Sequence, residues 1–207
     1  MNSPDGGQPE TILRAATRLF AALGYDGTST RQIAEAVGLN IATVNYHVGG
    51  KRELYLAVME RAHQAELAVL EPAVKELTAA PPEEKVAAAH RMLDVYVDFC
   101  AENPEIPALW MHRWLSDAGD ITELERQYVQ PLAAFVADAL LPLAGEHADV
   151  EYTIWTVIWC THGFARGGVL DQAGRRRGPR DVRAMRRFRA HLHSMLHQAL
   201  CLPGDPP

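Results

Sequence analysis

The chain has 207 residues and a formal net charge of −6, with 48% hydrophobic and 22% charged residues. This composition is typical of a soluble globular protein and excludes a mostly disordered chain. No apolar run approaches the roughly 20 residues that a membrane-spanning helix needs. The polar segment 1–10 lacks the basic and apolar regions of an export signal. The three cysteines, Cys100, Cys160 and Cys201, lack metal-ligand spacing, which favours reduced thiols and a cytoplasmic protein.

The first predicted helix follows Pro9, a residue suited to a first helical turn, and ends at Gly24. Apolar residues recur at helical spacing there and through most of the chain. No segment shows the alternation of a β-strand. The sequence therefore predicts an all-α fold.

Two short helices are predicted next. Ser29 and Gln32 have the spacing of a capping box, which opens a second helix that Gly38 ends. Asn40 is a good N-cap for a third helix, residues 41–47. A fourth helix is predicted to begin at Lys51 and to continue towards residue 70.

Residues 28–51 meet the physical requirements of a helix-turn-helix. Ala34 supplies the small side chain that the helix crossing needs, and Gly38 tolerates the left-handed backbone of the turn. The residues predicted to face the small core between the helices are Ile33, Val37, Leu39 and Val44. The residues predicted to form the exposed face of the third helix are Ile41, Ala42, Thr43, Asn45, Tyr46 and His47. Such a face could contact base edges and phosphates.

The segment 28–55 resembles the TetR family of bacterial transcriptional regulators. The matching features are Phe20 before Gly24-Tyr25, then Thr30-Arg31-x-Ile33-Ala34, Gly38-Leu39 in the turn, Thr43-Val44-x-Tyr46-His47, Lys51, and Leu54-Tyr55. Agreement at so many fixed spacings makes the resemblance specific. It covers about the first quarter of the chain.

The resemblance implies a set of DNA contacts. Thr30 would reach a phosphate at a helix N-terminus, and Arg31 would lie at the groove edge, able to bind a guanine. Lys51 would bind a phosphate from the fourth helix. The complete implied set is Thr30, Arg31, Asn40, Ile41, Ala42, Thr43, Asn45, Tyr46, His47 and Lys51.

The resemblance also implies two domains. Residues 9–55 would bind DNA, and residues 56–203 would form a helical bundle that binds an effector and dimerises. Residues 1–8 and 204–207 are expected to be disordered tails. The implied function is a transcriptional regulator, preferentially a repressor, that binds a pseudo-palindromic operator as a homodimer and is released by a small molecule. The alternative is an effector-independent or architectural DNA-binding protein of the same fold. No cofactor or metal is implied.

The C-terminal helices supply the predicted dimer interface. The apolar segment 152–164 is expected to be a buried helix. The last helix carries an apolar stripe with most of its arginines outside it, and a surface this apolar is unfavourable in a monomer. The predicted interface residues are Met185, Phe188, Leu192, Met195, Leu196 and Leu200.

The effector site is predicted from aromatic residues of the second domain. The candidates are Tyr96, Phe99, Trp110, Trp114, Trp155, Trp159 and His162. Plain core packing is the competing interpretation for each of them. Residues 62–165 carry a net charge of −12. This charge could favour a cationic effector, but a solvated acidic face that repels DNA is the favoured interpretation.

Some basic and metal-ligand-like motifs favour other interpretations, but only weakly. Residues 166–207 carry a net charge of +6, so charge alone would place DNA binding there. His193-x-x-x-His197 could bind a metal in a helical metalloenzyme, but an exposed polar helix face is the favoured prediction. Glu60-x-x-His63 has no second copy, and Asp94-x-x-x-Asp98 has no second acidic cluster nearby. No enzymatic activity is predicted.

Overall fold

Nine α-helices account for most of the residues that the computed structural model describes, which are 7–115 and 117–207. The helices are α1 (Gly7–Leu23), α2 (Thr30–Val37), α3 (Ile41–Val48), α4 (Lys51–Ala79), α5 (Lys85–Glu102), α6 (Glu105–Trp114), α7 (Gln130–Leu140), α8 (Val150–Gly167) and α9 (Val182–Ala199). Short 3₁₀ turns cover Pro82–Glu84 and Leu141–Leu143, and a π-helical turn covers Glu125–Val129. The all-α prediction is confirmed.

The described residues divide into two compact units. The first contains those up to Gln64 together with Glu105–Leu124, and the second contains Ala65–Pro104 and Glu125–Pro207. The predicted DNA-binding domain, residues 9–55, therefore lies within a unit that also includes residues 56–64 and 105–124. The sequence prediction instead places these additional residues in the second domain, residues 56–203.

In the first unit, α1 packs against α2, α3 and α6. The fully buried side chains at its centre come from all these helices and from the first turns of α4. They include Ile12, Phe20, Ile33, Val44, Leu54, Tyr55 and Leu109. Phe20 and Tyr55 meet edge to face, with 5.1 Å between ring centroids. Burial of this apolar set fixes the short helices α2 and α3, which are too short to be stable alone.

In the second unit, α5 packs against α8 and α9, and α8 also contacts α7. Phe164 of α8 stacks on Phe188 of α9 at 4.0 Å between ring centroids. Leu192, Leu196 and Leu200 are buried on the inner side of α9 and just after it.

Several predicted boundaries change. Gly7 and Gln8 belong to α1 rather than to a tail, and residues 1–6 of that predicted tail lie outside the described residues. The fourth helix reaches Ala79 and includes Pro72. The prediction of no strands is corrected by a short antiparallel hairpin that pairs Val169–Leu170 with Arg176–Arg177. Within the described ranges, no helix is long and apolar enough to cross a membrane.

Candidate nucleic-acid interface

The start of α2 is fixed by a capping box. The Ser29 hydroxyl accepts a hydrogen bond from the backbone N–H of Gln32 at 3.2 Å, and the Gln32 side chain accepts one from the backbone N–H of Ser29 at 2.7 Å. These two bonds satisfy donors that the first helical turn leaves without partners. The N-terminus of α2 is therefore ordered by its own sequence, as the spacing predicted.

The turn between α2 and α3 depends on Gly38 and Asn40. Gly38 has φ +70°, and its N–H donates to carbonyls at the end of α2. A side chain is disfavoured in this left-handed conformation. The Asn40 side-chain oxygen accepts from the backbone N–H of Thr43 at 2.8 Å and from the Thr43 hydroxyl at 3.0 Å. Asn40, a predicted DNA contact, is thus also the N-cap of α3.

The outer face of α3 is open to solvent. Val44 is completely buried, whereas Tyr46 is 86% and Ile41 is 43% exposed. Ala42 and Asn45 are exposed as well, and Thr43 and His47 are half-buried. The helix therefore anchors itself through one side chain and leaves a mixed polar and apolar surface free. Such a surface offers groups that can contact base edges and phosphates.

Lys51, the first residue of α4, lies on an aromatic cluster. Its ammonium group lies 4.2 Å from the centroid of the Tyr25 ring, close enough for a cation–π interaction. The Tyr25 ring in turn lies 4.8 Å from the ring of the buried Tyr55. Burial raises the pKa of Tyr25 above its ordinary value, so this hydroxyl stays neutral. The family resemblance predicts a phosphate contact for Lys51 but no role for Tyr25.

Arg31 projects from the first turn of α2 into solvent. It pairs with Glu35, with 2.9 Å between Nε and Oε1. Both side chains are mostly exposed, so the pair is weak and its geometry is easily exchanged for another partner. Thr30, the first residue of α2, is half-buried beside it. The ten predicted contact residues therefore belong to α2, the turn, α3 and the first residue of α4.

Residues 12–58 match the model of the bacterial regulatory proteins, tetR family. Residues 12–58 of the chain are therefore a domain of the TetR-family type. The matched range contains every residue of the two short helices and of the aromatic cluster around Lys51. The resemblance inferred from residues 28–55 is thereby confirmed.

Individual relatives agree with this assignment. The tetracycline repressor protein class A from transposon 1721 of Escherichia coli is 40% identical over 53 residues, which are 26% of this chain and 24% of that protein. The transcriptional repressor AcnR of Corynebacterium diphtheriae is 29% identical over 117 residues, 56% of this chain and 50% of that protein. The chain thus spans about a quarter to a half of the length of these curated relatives.

The fold agrees over a longer range. The TetR family transcriptional regulator PfmR from Thermus thermophilus superposes with a TM-score of 0.63 at 19% identity, covering 89% of this chain and 93% of that one. At this identity the similarity concerns the fold alone.

The predicted effector residues fall into different units. Trp110 and Trp114 belong to the first unit, where their rings are stacked 6.4 Å apart. The other five belong to the second unit. There the structure brings together Tyr96 and His162, whose hydroxyl and Nε2 are 2.9 Å apart and buried. Burial lowers the pKa of His162 to about 4, so this ring is neutral. Phe99 is buried as well.

The prediction that the helix over residues 152–164 is buried is wrong for one face of α8. Tyr152 is 66% and Trp159 is 52% exposed. The ring of Trp155 lies 5.6 Å from that of Trp159. These residues are spaced by three and four along the helix, so they share one side. Trp159 therefore lies at the surface of the single chain rather than in an enclosed site.

The predicted dimer interface also needs correction. Leu192, Leu196 and Leu200 are buried by the rest of the same chain, so they belong to its core and cannot meet a partner directly. Met185, Phe188 and Met195 are half-buried and keep part of their surface. The spacing of apolar residues predicts one apolar stripe on α9. It cannot show that other helices of the same chain cover half of the stripe.

The prediction that His193 and His197 lie on an exposed polar face is wrong. Both side chains are buried against His90, whereas His191 on the same helix is exposed. Within residues 7–115 and 117–207, no group of three or more His, Cys, Asp or Glu side chains is arranged to hold a metal ion.

Glu66 is a buried polar residue that the sequence pattern did not predict. It lies on α4 in line with the buried residues Ala62 and Leu70. Burial raises its pKa to about 7. Glu66 is four residues from Ala62 and from Leu70, and residues at this spacing share a helix face. This spacing was the sequence signal that could have predicted its burial.

Proposed function

We propose that the chain is a DNA-binding transcriptional regulator of the repressor type, acting as a homodimer on a pseudo-palindromic operator. The observation that carries this proposal is the open face of α3, held on a capped helix-turn-helix by the buried Val44. The match of residues 12–58 to the family and the repressor names of the relatives support it.

Two kinds of DNA contact are proposed within this face. Arg31 reads a base edge after exchanging Glu35 for DNA, since a guanidinium can bind guanine through two hydrogen bonds. Lys51 binds a phosphate, which carries no sequence information. Ile41, Ala42 and Tyr46 fill the groove between them.

The experiment is selection of bound duplexes from a random library, followed by affinity measurements on the selected site and its variants. Arg31→Ala should reduce discrimination between sites more than total affinity. Lys51→Ala should weaken binding to all duplexes about equally and reduce the salt dependence by about one phosphate contact. Leu115→Ala, which removes an exposed apolar side chain elsewhere in the first unit, is the control and should bind as the parent does. Failure to select any preferred duplex would overturn the proposal.

The proposed dimer uses the outer face of α8 and the exposed part of α9. Tyr152, Trp155 and Trp159 form an aromatic stripe on α8, and Met185 and Met195 keep free surface on α9. An exposed apolar stripe of this kind favours association with a second copy. Two recognition helices about one turn of DNA, ~34 Å, apart would then read the two halves of the operator.

The proposed effector site lies in the second unit around Tyr96 and His162. Both groups are buried and hydrogen-bonded to each other, and they can present a neutral polar contact to a mostly apolar ligand. Binding would favour a dimer whose DNA-binding domains no longer fit successive grooves. A screen of small apolar compounds for release of the selected duplex tests this step, with Tyr96→Phe as the variant expected to lose the response. A regulator that no compound releases would favour the effector-independent alternative.

A further inference from the structure

Three buried histidines join α5 to α9 in the second unit. Nδ1 of His90 lies 2.8 Å from Nδ1 of His193, and Nε2 of His90 lies 3.2 Å from Nδ1 of His197. At the two ends of this chain of rings, Nε2 of His193 lies 2.9 Å from Asp94 Oδ1, and Nε2 of His197 lies 2.9 Å from the carbonyl oxygen of Gly204. All six ring nitrogens are therefore engaged in one line of four contacts.

The two end contacts fix two protons. A carbonyl oxygen can only accept, so Nε2 of His197 must carry a hydrogen. Asp94 Oδ1 also accepts from the guanidinium of Arg189 at 2.5 Å. It therefore serves as an acceptor for Nε2 of His193 too.

The two central contacts need two further protons. A neutral imidazole carries one N–H, and neutral His193 and His197 have already used theirs at the ends. Only His90 remains, and in its neutral form it can fill one of the two contacts. Three neutral rings thus leave one contact with two lone pairs facing each other, which is repulsive. One additional proton completes all four hydrogen bonds.

We propose that His90, His193 and His197 form a one-proton clamp between α5 and α9, closed when the three rings together carry a single positive charge and weakened when that proton leaves. A positive charge on this line of rings has an ion-pair partner at one end, where Nε2 of His193 lies 2.9 Å from Asp94 Oδ1. His90 is the least suited to hold it, since burial and the two neighbouring rings lower its pKa to about 4. A charge-assisted hydrogen bond to Asp94 is stronger than a neutral one.

The surroundings allow this proton to exchange. His90, His193 and Asp94 line a cleft of about 660 Å³. The other charged groups that line the cleft are Glu83, Arg91, Arg186, Arg189 and Asp205. Asp98 pairs with Arg189 beside it, and α5 and α9 also carry Lys85, Glu102, Arg183 and Arg187. Arg189 is bound by Asp94 and Asp98, and Arg91 by Glu76. Protons can thus reach the rings through the cleft.

The clamp predicts a maximum in stability near neutral pH. Three ordinary histidines in the unfolded chain hold one proton between them at roughly pH 6.8. Above this pH the folded cluster holds more protons than the unfolded chain, so stability falls as pH rises. Below it the unfolded chain binds up to three protons while the cluster accepts one, so stability falls again as pH decreases. Each proton of difference changes the folding equilibrium constant by up to about tenfold per pH unit.

The first test compares His193→Gln with His191→Gln over pH 5–9 by urea unfolding of the full chain. His191 is exposed on the same helix, so its variant should keep the decline in stability above neutral pH. His193→Gln should lose the part of that decline due to the cluster, approaching a tenfold smaller change in the equilibrium constant per pH unit. Identical pH profiles for the two variants would overturn the proposal.

The second test uses the parent protein and does not depend on a variant that folds. Nitrogen-detected NMR distinguishes a charged imidazole from each neutral tautomer. At pH 7.5, one ring of the cluster should be charged and the other two neutral. Three neutral rings at this pH would overturn the clamp.

Discussion

The carboxylate of Asp117 accepts a hydrogen bond from the backbone N–H of Tyr25, with 2.5 Å between Oδ2 and N. Its other oxygen accepts from the N–H of Asp26 at 2.8 Å. Asp26 returns the contact, because its Oδ2 lies 3.4 Å from the backbone nitrogen of Ala118. The loop after α6 is thus fastened to the loop between α1 and α2. Tyr25 in this loop carries Lys51 on its ring, so the fastening also supports a proposed phosphate contact.

Asp117→Ala should destabilise the first unit by ~1–3 kcal/mol, since it leaves two backbone N–H groups without their carboxylate partner. Urea unfolding monitored by far-ultraviolet circular dichroism measures the effect. Asp120→Ala is the matched control: Asp120 is an exposed acid of the same loop and influences Tyr25 only through its charge. Equal stability of the two variants would show that the fastening contributes nothing.

Glu35→Gln should increase affinity for the selected duplex by about threefold to tenfold. The substitution weakens the 2.9 Å pair that holds Arg31 and removes a negative charge near the phosphates. Fluorescence anisotropy at two salt concentrations measures the change, which should shrink at high salt because screening weakens the repulsion.

The control for this prediction is Glu60→Gln. Glu60 is an exposed acid of the first unit on α4, and its removal changes the net charge of the chain equally. A gain in affinity of the same size for both variants would mean that net charge, rather than release of Arg31, is responsible.

The helix-turn-helix was predictable because local chemistry determines it. Ser29, Gly38 and Asn40 cap helices or form the turn through contacts with residues only a few positions away. Their spacing in the sequence is therefore enough to predict the caps and the turn. The four predicted core positions are less uniform: Ile33 and Val44 are buried, while Val37 and Leu39 are half-buried. The extent of burial depends on which neighbouring helices cover each side chain, and the local sequence pattern does not show this.

The second unit was predictable only as helices. Leu192 and Trp159 have equally apolar side chains, yet the first is in the core and the second is at the surface. The sequence predicts an exposed polar helix face for His193 and His197, but both side chains are buried. Their partner His90 is about one hundred residues away in the sequence, and only the packing of α5 on α9 brings it near.

Glu66→Gln should stabilise the chain, and the gain should grow with pH. Burial raises the pKa of Glu66 to about 7 from an ordinary value of 4.5. Between these values the native state holds a proton that the unfolded state has released, so the native state loses stability as pH rises. Glutamine resembles the protonated acid and has no such loss. The expected gain is near zero at pH 4.5 and ~3 kcal/mol at pH 8.

Glu71→Gln is the control for Glu66→Gln. Glu71 lies on the same helix and pairs with Lys75 at the surface. The difference in unfolding free energy between each variant and the parent is measured at pH 5 and pH 8, which cancels the contribution of the histidines. A difference for Glu66→Gln that does not change with pH would contradict the assignment of a buried, titrating carboxyl.

Trp159→Glu should convert the proposed dimer to a folded monomer. Trp159 is about half exposed on the outer face of α8, so the charge is hydrated in the monomer and loses water in a dimer. Sedimentation velocity measures the mass, and circular dichroism verifies that the helices remain. Val95→Glu is the control, because Val95 is a partly exposed apolar residue on α5 of the same unit, and it should stay dimeric. Leu192→Glu should instead unfold the second unit, since Leu192 is completely buried within the chain. A Trp159→Glu protein that sediments as a dimer would exclude this face of α8 from the interface.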